Sequence, residues 1–434
     1  MDLQQPNTIR VTCGPGLGPY LEQELARLGY TVDATHDTGI EITATLGDAM
    51  KLNLYLRTAN HVLYLLSEFA CTSPDDLYRH ASFVEWERLL APDGYVSVAA
   101  GGESHAIDNW TFASLKVKDA IVDRIASVTG RRPDAGSLRD AFVVNCYWVK
   151  DYCWLYLNTS GQKLSDRGYR RIPHKAPMRE TLAAGVLMAA GYDGTQPLVN
   201  PMCGSGTLAI EAALIAAGRP PGLLRSNFGF MHVLGFDDDT WQALRREAHR
   251  QKWQKGVGSL FPGRPEGCFA EKTPDPFLPQ IIATDIDDRA IRASEQNAKT
   301  AGVDHLIQFK QCDFADTPMP EGKGIILLNP EYGQRMGERA ELEKTYARIG
   351  DFFKQKCPGW TGWIFTGNLA LAKKVGLRAS RRIPFFNGPI ECRLLKYELY
   401  EGTRGKAAAI EDQGHKEKSE PSRPEAKRGQ APFL

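Results

Sequence analysis

From about residue 178 onward, short apolar runs alternate with stretches of helical periodicity. Strands are predicted for PLVN, QIIATD, LIQFKQCD, KGIILLNP and TGWIFTG, and helices for TLAIEAALIAAG and DRAIRASEQNAKTAG between them. This alternation is typical of a parallel sheet covered on both faces. The closing segment RRIPFFNGPIECRLLKYELY contains Asn387-Gly388, which predicts a hairpin. We therefore predict a Rossmann-like α/β domain over residues 172–400, with an insertion at about 222–279.

The first 171 residues predict two smaller α+β units. In residues 1–70, IRVTCGPG and IEITATL predict strands, PYLEQELARLGY predicts a helix, and AMKLNLYLRTANHVLYLLSEF has helical spacing. In residues 71–171, VSVAA predicts a strand, SLKVKDAIVDRIASVTGRRP a helix that ends at Gly130, and FVVNCYWVK and YCWLYLN paired strands. Residues 401–434 have no apolar periodicity, and they predict a disordered tail.

Composition narrows the class of protein without identifying a partner. Hydrophobic residues make up 42% and charged residues 24%, and 53 Lys and Arg balance 52 Asp and Glu. These values are typical of soluble globular proteins, so an RNA argument must rest on local clusters of charge. The nine cysteines include no C-x-x-C pair, which fits neither a disulfide framework nor a zinc site, and we expect no metal. No apolar stretch approaches the roughly 18 residues that span a bilayer, so we expect a soluble, cytoplasmic protein.

Two features of the α/β region suggest a nucleoside ligand. The segment NPMCGSGT, residues 200–207, follows a strand and precedes a helix, where glycines let the backbone approach a ligand. A tight structural turn explains this segment about as well. Asp285 ends the strand QIIATD, where a carboxylate can accept ribose hydroxyls, but it lies much further along than the roughly 20 residues of a dinucleotide motif. Asp285 could instead cap the next helix, although Asp287 or Asp288 can take that role.

Two further strand ends suggest recognition of planar bases. Asp313 follows LIQFKQ, where an acid can accept from an exocyclic amine, although a strand-terminating Asp is the commoner explanation. The apolar strand IILL delivers Asn329, Pro330 and Tyr332 to the carboxyl edge of the sheet, where ligands bind in such folds. An amide oxygen and a proline carbonyl can accept from an amino group, and a tyrosine ring can stack on a base.

On these motifs, residues 178–400 resemble the class I S-adenosylmethionine-dependent RNA methyltransferases that act on N2 of guanine, whose paired motifs are [DN]-P-M-C-G-S-G-T and N-P-P-Y-G. Residues 71–171 resemble the RNA-binding THUMP domain in VKDAIVDRI and NTSGQKLSDRGYR, and the first 70 resemble its ferredoxin-like companion. KAPMRETLAA, the insertion and NGPIECRLLKYEL are similar to the bacterial 23S rRNA guanine-N2 family. Some members carry a second methyltransferase domain after this one, and because this sequence ends first we expect a single activity.

The resemblance implies S-adenosylmethionine as cofactor and assigns a role to each motif. Asp285 would hold the ribose and Asp313 the adenine, while Met178 to Thr181 would approach the methionine end. The methionine part would lie against Asn200, Cys203, Gly204, Ser205 and Gly206. The target guanine would be held by Asn329, Pro330 and Tyr332. Glu331 stands where the family usually has a second proline. Our hypothesis is that Glu331 points outward or hydrogen-bonds the guanine edge, and that activity persists.

A basic run between the two halves of the chain suggests RNA contacts. From Lys163 to Arg179 there are six basic residues against one acid, Asp166, with Tyr169 and His174 between them. Basic residues with interleaved aromatics suit phosphate contacts and base stacking, although a solvated linker is the alternative. The residues expected to contact RNA are Lys163, Arg167, Arg170, Arg171 and Lys175. A second cluster comprises Lys373, Lys374, Arg378, Arg381 and Arg382.

Several functions remain open at this point. The expected substrate is 23S rRNA, and the nearest alternative is a tRNA guanine-N2 methyltransferase with the same domains. Adenine-N6 and glutamine-amide methyltransferases also use N-P-P-Y, but the THUMP-like region argues against both. A non-catalytic RNA-binding or ribosome-assembly protein is suggested only by Glu331. The position of Asp285 disfavours an NAD-dependent dehydrogenase.

Overall fold

A computed structural model of the chain describes residues 5–172, 178–257, 279–332 and 339–400, which form two sheets with flanking helices. The strands are β1 (Asn7–Cys13), β2 (Ala34–His36), β3 (Gly39–Ala44), β4 (Ala59–Ala70), β5 (Tyr95–Glu103), β6 (Asp134–Gly136), β7 (Phe142–Val149), β8 (Tyr152–Asn158), β9 (Leu198–Pro201), β10 (Ile281–Asp285), β11 (Ile307–Gln311), β12 (Ile325–Leu328), β13 (Thr361–Thr366), β14 (Arg381–Asn387) and β15 (Ile390–Glu398). The helices are α1 (Gly18–Arg27), α2 (Leu46–Tyr55), α3 (Pro74–Ala81), α4 (Trp110–Thr129), α5 (Glu180–Ala189), α6 (Thr207–Ala216), α7 (Asp238–Val257), α8 (Asp288–Ala301), α9 (Arg339–Lys356) and α10 (Leu369–Ala372).

The first sheet joins the two N-terminal units through their central strands. Its order is β2-β3-β1-β4-β8-β7-β5-β6, with β4 and β8 paired antiparallel. Leu21 and Leu25 of α1 and Val117 and Ile121 of α4 are fully buried in one core with this sheet. The predicted end of α4 is confirmed, because Gly130 adopts the left-handed conformation with φ 73°.

The helical prediction for residues 49–69 is correct only in its first half. The helix α2 ends at Tyr55, and residues 59–70 form the strand β4. This strand is central, pairing with β1 on one side and β8 on the other, and its register shifts between Leu65 and Ser67. Burial on both faces and a bulge remove the alternation of apolar and polar residues that marks a strand. The sequence of residues 59–70 therefore did not predict one.

The second sheet confirms the predicted α/β architecture. Its order is β11-β10-β9-β12-β13-β15-β14, in which β9 to β13 are parallel and β14 and β15 form the predicted antiparallel hairpin. The chain proceeds from β9 outward to β10 and β11 and then returns to β12 on the other side of β9. Ligands bind at such a switch point, beside the carboxyl ends of the strands.

The described part of the insertion packs back onto the N-terminal sheet. The amide of Phe230 donates to the carbonyl of Thr159 at 3.0 Å, and that of Leu234 donates to Leu89 at 2.9 Å. Arg225 donates to the carbonyls of Ser160, Gln162, Lys163 and Asp166. The insertion therefore braces the loop that follows β8.

Two further observations concern the described part of the chain. None of its helices combines the length and apolarity needed to cross a membrane. Its His, Cys, Asp and Glu side chains form no group of three or more that could hold a metal ion. The predicted tail at 401–434 and residues 258–278 of the insertion lie outside the described residues.

Candidate active site

A cavity of about 480 Å³ opens at the switch point of the second sheet. At its base, Asn200 is fully buried and its Nδ2 donates to the carbonyl of Leu327 at 2.8 Å, which ties the ends of β9 and β12 together. We call this space the sheet-edge cavity. Its lining includes Met178, Met202, Cys203, Gly204, Ser205, Asp285, Asp287, Asp313, Phe314, Asn329, Glu331, Thr345 and Arg348.

The turn between β9 and α6 carries an unusual backbone. Met202, a residue with a side chain, has φ 56°, and Gly206 has φ 81°. A Cβ on Gly206 would lie 3.0 Å from the Cβ of Ser294, so only glycine fits against α8 at this position. The turn brings Cys203, Gly204 and Ser205 to the cavity wall, whereas Asn200 and Gly206 lie behind it.

The carboxylate of Asp285 is held at the cavity by two backbone amides. Its Oδ2 accepts from the amide of Gly204 at 3.0 Å, and its Oδ1 accepts from the amide of Asp287 at 3.0 Å. Asp287 itself caps α8, as the sequence predicted for Asp287 or Asp288. Each carboxylate oxygen retains a lone pair, so Asp285 can still accept from a pair of hydroxyls.

A second carboxylate, Asp313, lies at the far end of the cavity. Its Oδ1 accepts from the amide of Ala315 at 2.9 Å and from Nη2 of Arg348 at 2.7 Å. Partial burial opposes ionisation, but the hydrogen bonds from Arg348 and Ala315 outweigh it and lower the pKa of Asp313 below its ordinary value. The guanidinium of Arg348 also lies 4.8 Å from the ring centroid of Phe314.

The segment after β12 carries an unused acceptor on a residue of the cavity lining. Oδ1 of Asn329 is buried and has no hydrogen-bond partner among the described residues, although Asn329 lines the cavity. Such an orphaned acceptor is costly unless a ligand donates to it. Glu331 is exposed and lines the same cavity.

Tyr332 lies outside the cavity wall. Its hydroxyl accepts from Nδ2 of Asn387 at 2.9 Å, and its carbonyl accepts from Nδ2 of Asn368 at 3.4 Å. Burial raises the pKa of its phenol. Asn387, at the end of β14, thus holds the Tyr332 side chain in place. Pro330, the residue after Asn329, is buried.

Three family descriptions match consecutive parts of the chain. Residues 8–63 match the RlmL ferredoxin-like domain, residues 71–158 match the THUMP domain, and residues 167–396 match the RMKL-like methyltransferase domain. The chain belongs to the RMKL-like methyltransferase family. The predicted architecture is therefore confirmed, with a methyltransferase domain preceded by ferredoxin-like and THUMP regions.

Relatives and solved structures agree with this family. A ribosomal RNA large subunit methyltransferase K/L from Cellvibrio japonicus is 37% identical over 89% of this chain and 50% of its own length. A putative RNA methyltransferase, slr0064, from Synechocystis is 32% identical over 90% of this chain and 96% of its own length. The structure of a possible methylase from Clostridium difficile 630 is 26% identical, with a TM-score of 0.77, covering 92% of this chain and 100% of that one. The chain spans about half the length of the K/L relatives.

Within the methyltransferase domain, Asn297 of α8 holds the cavity loop to the preceding chain. Its Oδ1 accepts from the amides of Arg171 and Ile172, and its Nδ2 donates to the carbonyls of Ile172 and Ser205. The sequence analysis missed Asn297, together with Ser294 and Arg348. For Asn297 and Ser294 the available signal was a polar residue on the buried stripe of an otherwise amphipathic helix. Arg348 is exposed on α9 and carried no such signal.

The structure corrects the expected RNA contact of Arg167, which links the ferredoxin-like region to the methyltransferase domain. Arg167 is only 1% exposed, donates to the carbonyls of Leu164 and Arg57, and lies with Nε 3.6 Å from Oε1 of Glu211. Tyr169, expected to stack on RNA, is also buried and donates to Glu211 at 3.1 Å. Neither side chain is available to RNA, because both are buried against the carboxylate of Glu211.

Arg170 faces inward as well. Its Nε donates to Glu180 at 3.0 Å and its Nη2 to the carbonyl of Met178 at 2.7 Å. Because Met178 lines the cavity, Arg170 positions the cavity wall, and its expected RNA contact is corrected too. Lys163 and Arg171 are exposed, as an RNA contact requires. Lys175 lies outside the described residues.

Two cations that the sequence analysis did not select lie near Lys163. Arg139 and Arg179 are exposed, and together with partial burial their charges lower the pKa of Lys163. We call these three residues the junction patch. Because Arg179 follows Met178, the patch adjoins the sheet-edge cavity.

Proposed function

We propose that the chain transfers the methyl group of S-adenosylmethionine to the exocyclic N2 of a guanine in 23S rRNA. The observation that carries the proposal is the orphaned oxygen of Asn329, a residue that lines the same cavity as Asp285 and Asp313. A cavity lined by two carboxylates and by an amide side chain with an unused oxygen suits a nucleoside cofactor beside an amine substrate.

The residues of the cavity fit the cofactor along its length. Cys203, Gly204 and Ser205 would contact the methionine part, Asp285 the ribose hydroxyls and Asp313 the adenine amine, while Asn200 and Gly206 shape the loop from behind. Burial raises the pKa of Cys203 to about 12, so it remains a thiol and contributes a wall rather than a nucleophile. The cofactor supplies the electrophilic methyl carbon.

The residues after β12 would hold the amine. Oδ1 of Asn329 and the carbonyl of Pro330 accept its two hydrogens, which leaves the nitrogen lone pair directed at the methyl carbon. Tyr332 would stack on the base after the base leaves the helix, at a cost of a few kcal/mol. Alignment of this kind contributes up to about 7–11 kcal/mol, and the nitrogen loses its proton to water once it is alkylated.

RNA is the proposed substrate because of the THUMP match and the names of the relatives, which include ribosomal RNA large subunit and RNA methyltransferases. We assign RNA contacts to Lys163 and Arg171, with Arg139 and Arg179 added from the structure. The proposal assigns residues 1–70 to a ferredoxin-like unit, residues 71–171 to the RNA-binding THUMP domain and residues 172–400 to the catalytic domain, with the reaction in the cytoplasm.

The test incubates the purified chain with labelled S-adenosylmethionine and either unmodified 23S rRNA or tRNA, followed by mass spectrometry of nucleosides. We expect N2-methylguanosine from rRNA alone. Asn329→Ala should abolish the product while S-adenosylhomocysteine still binds, and Asn7→Ala, on the distant first sheet, should leave it unchanged.

Other products would redirect the assignment. N2-methylguanosine from tRNA alone would establish the tRNA enzyme, and N6-methyladenosine would exclude the proposed target atom. Cofactor binding without methylation of any RNA would favour a non-catalytic role in ribosome assembly.

The same assay tests Glu331. Pro330 retains its carbonyl when glutamate follows it, so we expect the wild-type chain to be active. An inactive wild type beside an active Glu331→Pro variant would contradict this expectation.

A further inference from the structure

Arg348 is the one cavity residue whose side chain contacts both the acid and the ring at the adenine end of the described site. It projects from α9, and its Nη2 donates to Oδ1 of Asp313 at 2.7 Å. Its guanidinium lies over the ring of Phe314 with Cζ 4.8 Å from the centroid. Phe314 is in turn fixed edge-on against Phe352, with centroids 6.1 Å apart.

These contacts leave the two oxygens of Asp313 in different states. Oδ1 receives two donors, the amide of Ala315 and the guanidinium of Arg348. Oδ2 has no hydrogen-bond partner within the described ranges. A carboxylate held through one oxygen cannot rotate freely, so its other oxygen presents an acceptor in a set direction.

We propose that Arg348 is a positioning residue that makes the cofactor site selective for a 6-aminopurine. It holds Oδ2 of Asp313 as an acceptor for the exocyclic amine, and it keeps that carboxylate charged. A 6-oxopurine in the same position would set a carbonyl oxygen against a carboxylate, so it would be rejected. The inference rests on the proposed function, because it takes the ligand of the cavity to be S-adenosylmethionine.

Arg348 is half-exposed, which supports a role in ligand binding rather than in the stability of the fold. Its side chain is 52% exposed, and that of Asp313 is 26% exposed, so the pair contributes little to folding. A surface pair of this kind is not needed to hold α9, whose buried residues Tyr346, Ile349 and Phe353 anchor it in the core. The pair is placed where it contacts the ligand volume.

The test measures calorimetric binding of S-adenosylhomocysteine and of S-inosylhomocysteine, its 6-oxo analogue. We expect wild type to prefer the amino compound by about 10–100-fold, the value of a hydrogen bond to a charged group. Arg348→Gln should lower this preference about tenfold, and Arg348→Lys should restore part of it because an ammonium can still donate to Oδ1.

Two further variants separate positioning from stability. Asp313→Asn should remove the preference, and adding Arg348→Gln to it should have no further effect. Arg292→Gln breaks an exposed pair with Asp288 at 2.6 Å, away from the cavity lining, and should leave both affinities unchanged. Melting temperatures of all variants should remain close to wild type.

The outcomes distinguish this inference from the proposed function. Failure of wild type to bind S-adenosylhomocysteine would refute the proposed cofactor. Wild-type preference that persists in Arg348→Gln would overturn only the role of Arg348. Tighter binding of S-adenosylhomocysteine by Arg348→Gln would overturn it too, because Arg348 would then be competing with adenine.

Discussion

The sheet-edge cavity and the segment from Lys163 to Arg179 use their polar side chains in opposite ways. Asp285 ends β10, Asp313 follows β11 and Asn329 follows β12, and all three line one cavity at the sheet edge. In the segment, Arg167 and Arg170 are close in sequence to exposed cations but turn inward to buried carboxylates. Motifs at strand ends therefore predicted residues that meet at one cavity, whereas clustering of cations in sequence predicted RNA contacts for two residues that are held in buried ion pairs.

The difference has a physical origin. Parallel strands end at the same edge whatever their separation in sequence, so motifs at strand ends must meet. A cation in a linker has no such constraint, and its direction depends on acids elsewhere. Glu211 of α6 is fully buried and Glu180 is 6% exposed, and burial raises the pKa of Glu180. Each acid requires a nearby cation, and the linker provides one.

The largest expected effect is a fall in the free energy of unfolding when the buried cation Arg167 is removed. Arg167→Ala leaves Glu211 without its charge partner, and breaking one side of a buried pair costs about 3–5 kcal/mol. Chemical denaturation should therefore show a much less stable protein. Arg171→Ala, at an exposed position four residues on, should change the unfolding free energy by less than about 0.5 kcal/mol.

These two variants test directly whether Arg167 is a structural residue and Arg171 an RNA contact. If Arg167→Ala keeps wild-type stability and instead loses RNA affinity, the segment is an RNA-facing run after all. In Arg171→Ala, the expected result is the reverse, with unchanged stability and weaker RNA binding.

A smaller effect is expected where the two regions meet, at Asn297. Asn297→Ala removes the hydrogen bonds to the linker at Ile172 and to the cavity loop at Ser205. The stranded buried partners should cost about 1–3 kcal/mol, and the loosened loop should lower the affinity for S-adenosylhomocysteine. Calorimetry and denaturation of the same preparation measure both. Gln296→Ala, at an exposed neighbour on α8, is the matched control, and equal behaviour of the two variants would refute the role of Asn297.

Substitutions in the junction patch should have smaller effects, on RNA affinity and its salt dependence. Lys163→Ala or Arg179→Ala should weaken RNA binding without affecting stability. Removing one cation that neutralises a phosphate should reduce the slope of log affinity against log salt by about 0.7–0.9. Arg292→Ala, an exposed cation that pairs with Asp288 on α8, should leave the slope unchanged. An unchanged slope in both patch variants would remove the patch from the RNA path.

The sequence predicted most of the fold because its signals were local. Hydrophobic periodicity, the cap at Asp287 and the stop at Gly130 each depend on a few neighbouring residues. The strand β4 was not predicted because its apolar run lacks period-two alternation. That run reflects pairing with β1 and β8, which lie far away in sequence. For the same reason Arg348 and Asn297 were missed, since their partners belong to other segments.

The smallest expected effect is on the alkylation rate of Cys203. It tests whether this cavity-lining side chain is a reactive group or only part of the cavity wall. Burial raises the pKa of its thiol to about 12, so at pH 8 roughly one molecule in ten thousand carries the reactive thiolate. Iodoacetamide at pH 8 should leave Cys203 unmodified in the folded protein and label it after denaturation, as peptide mass spectrometry would reveal. Since the pKa is raised, the labelling rate should increase about tenfold per pH unit up to that value. Rapid labelling at pH 8 would mean that Cys203 is a reactive group of the cavity rather than part of its wall.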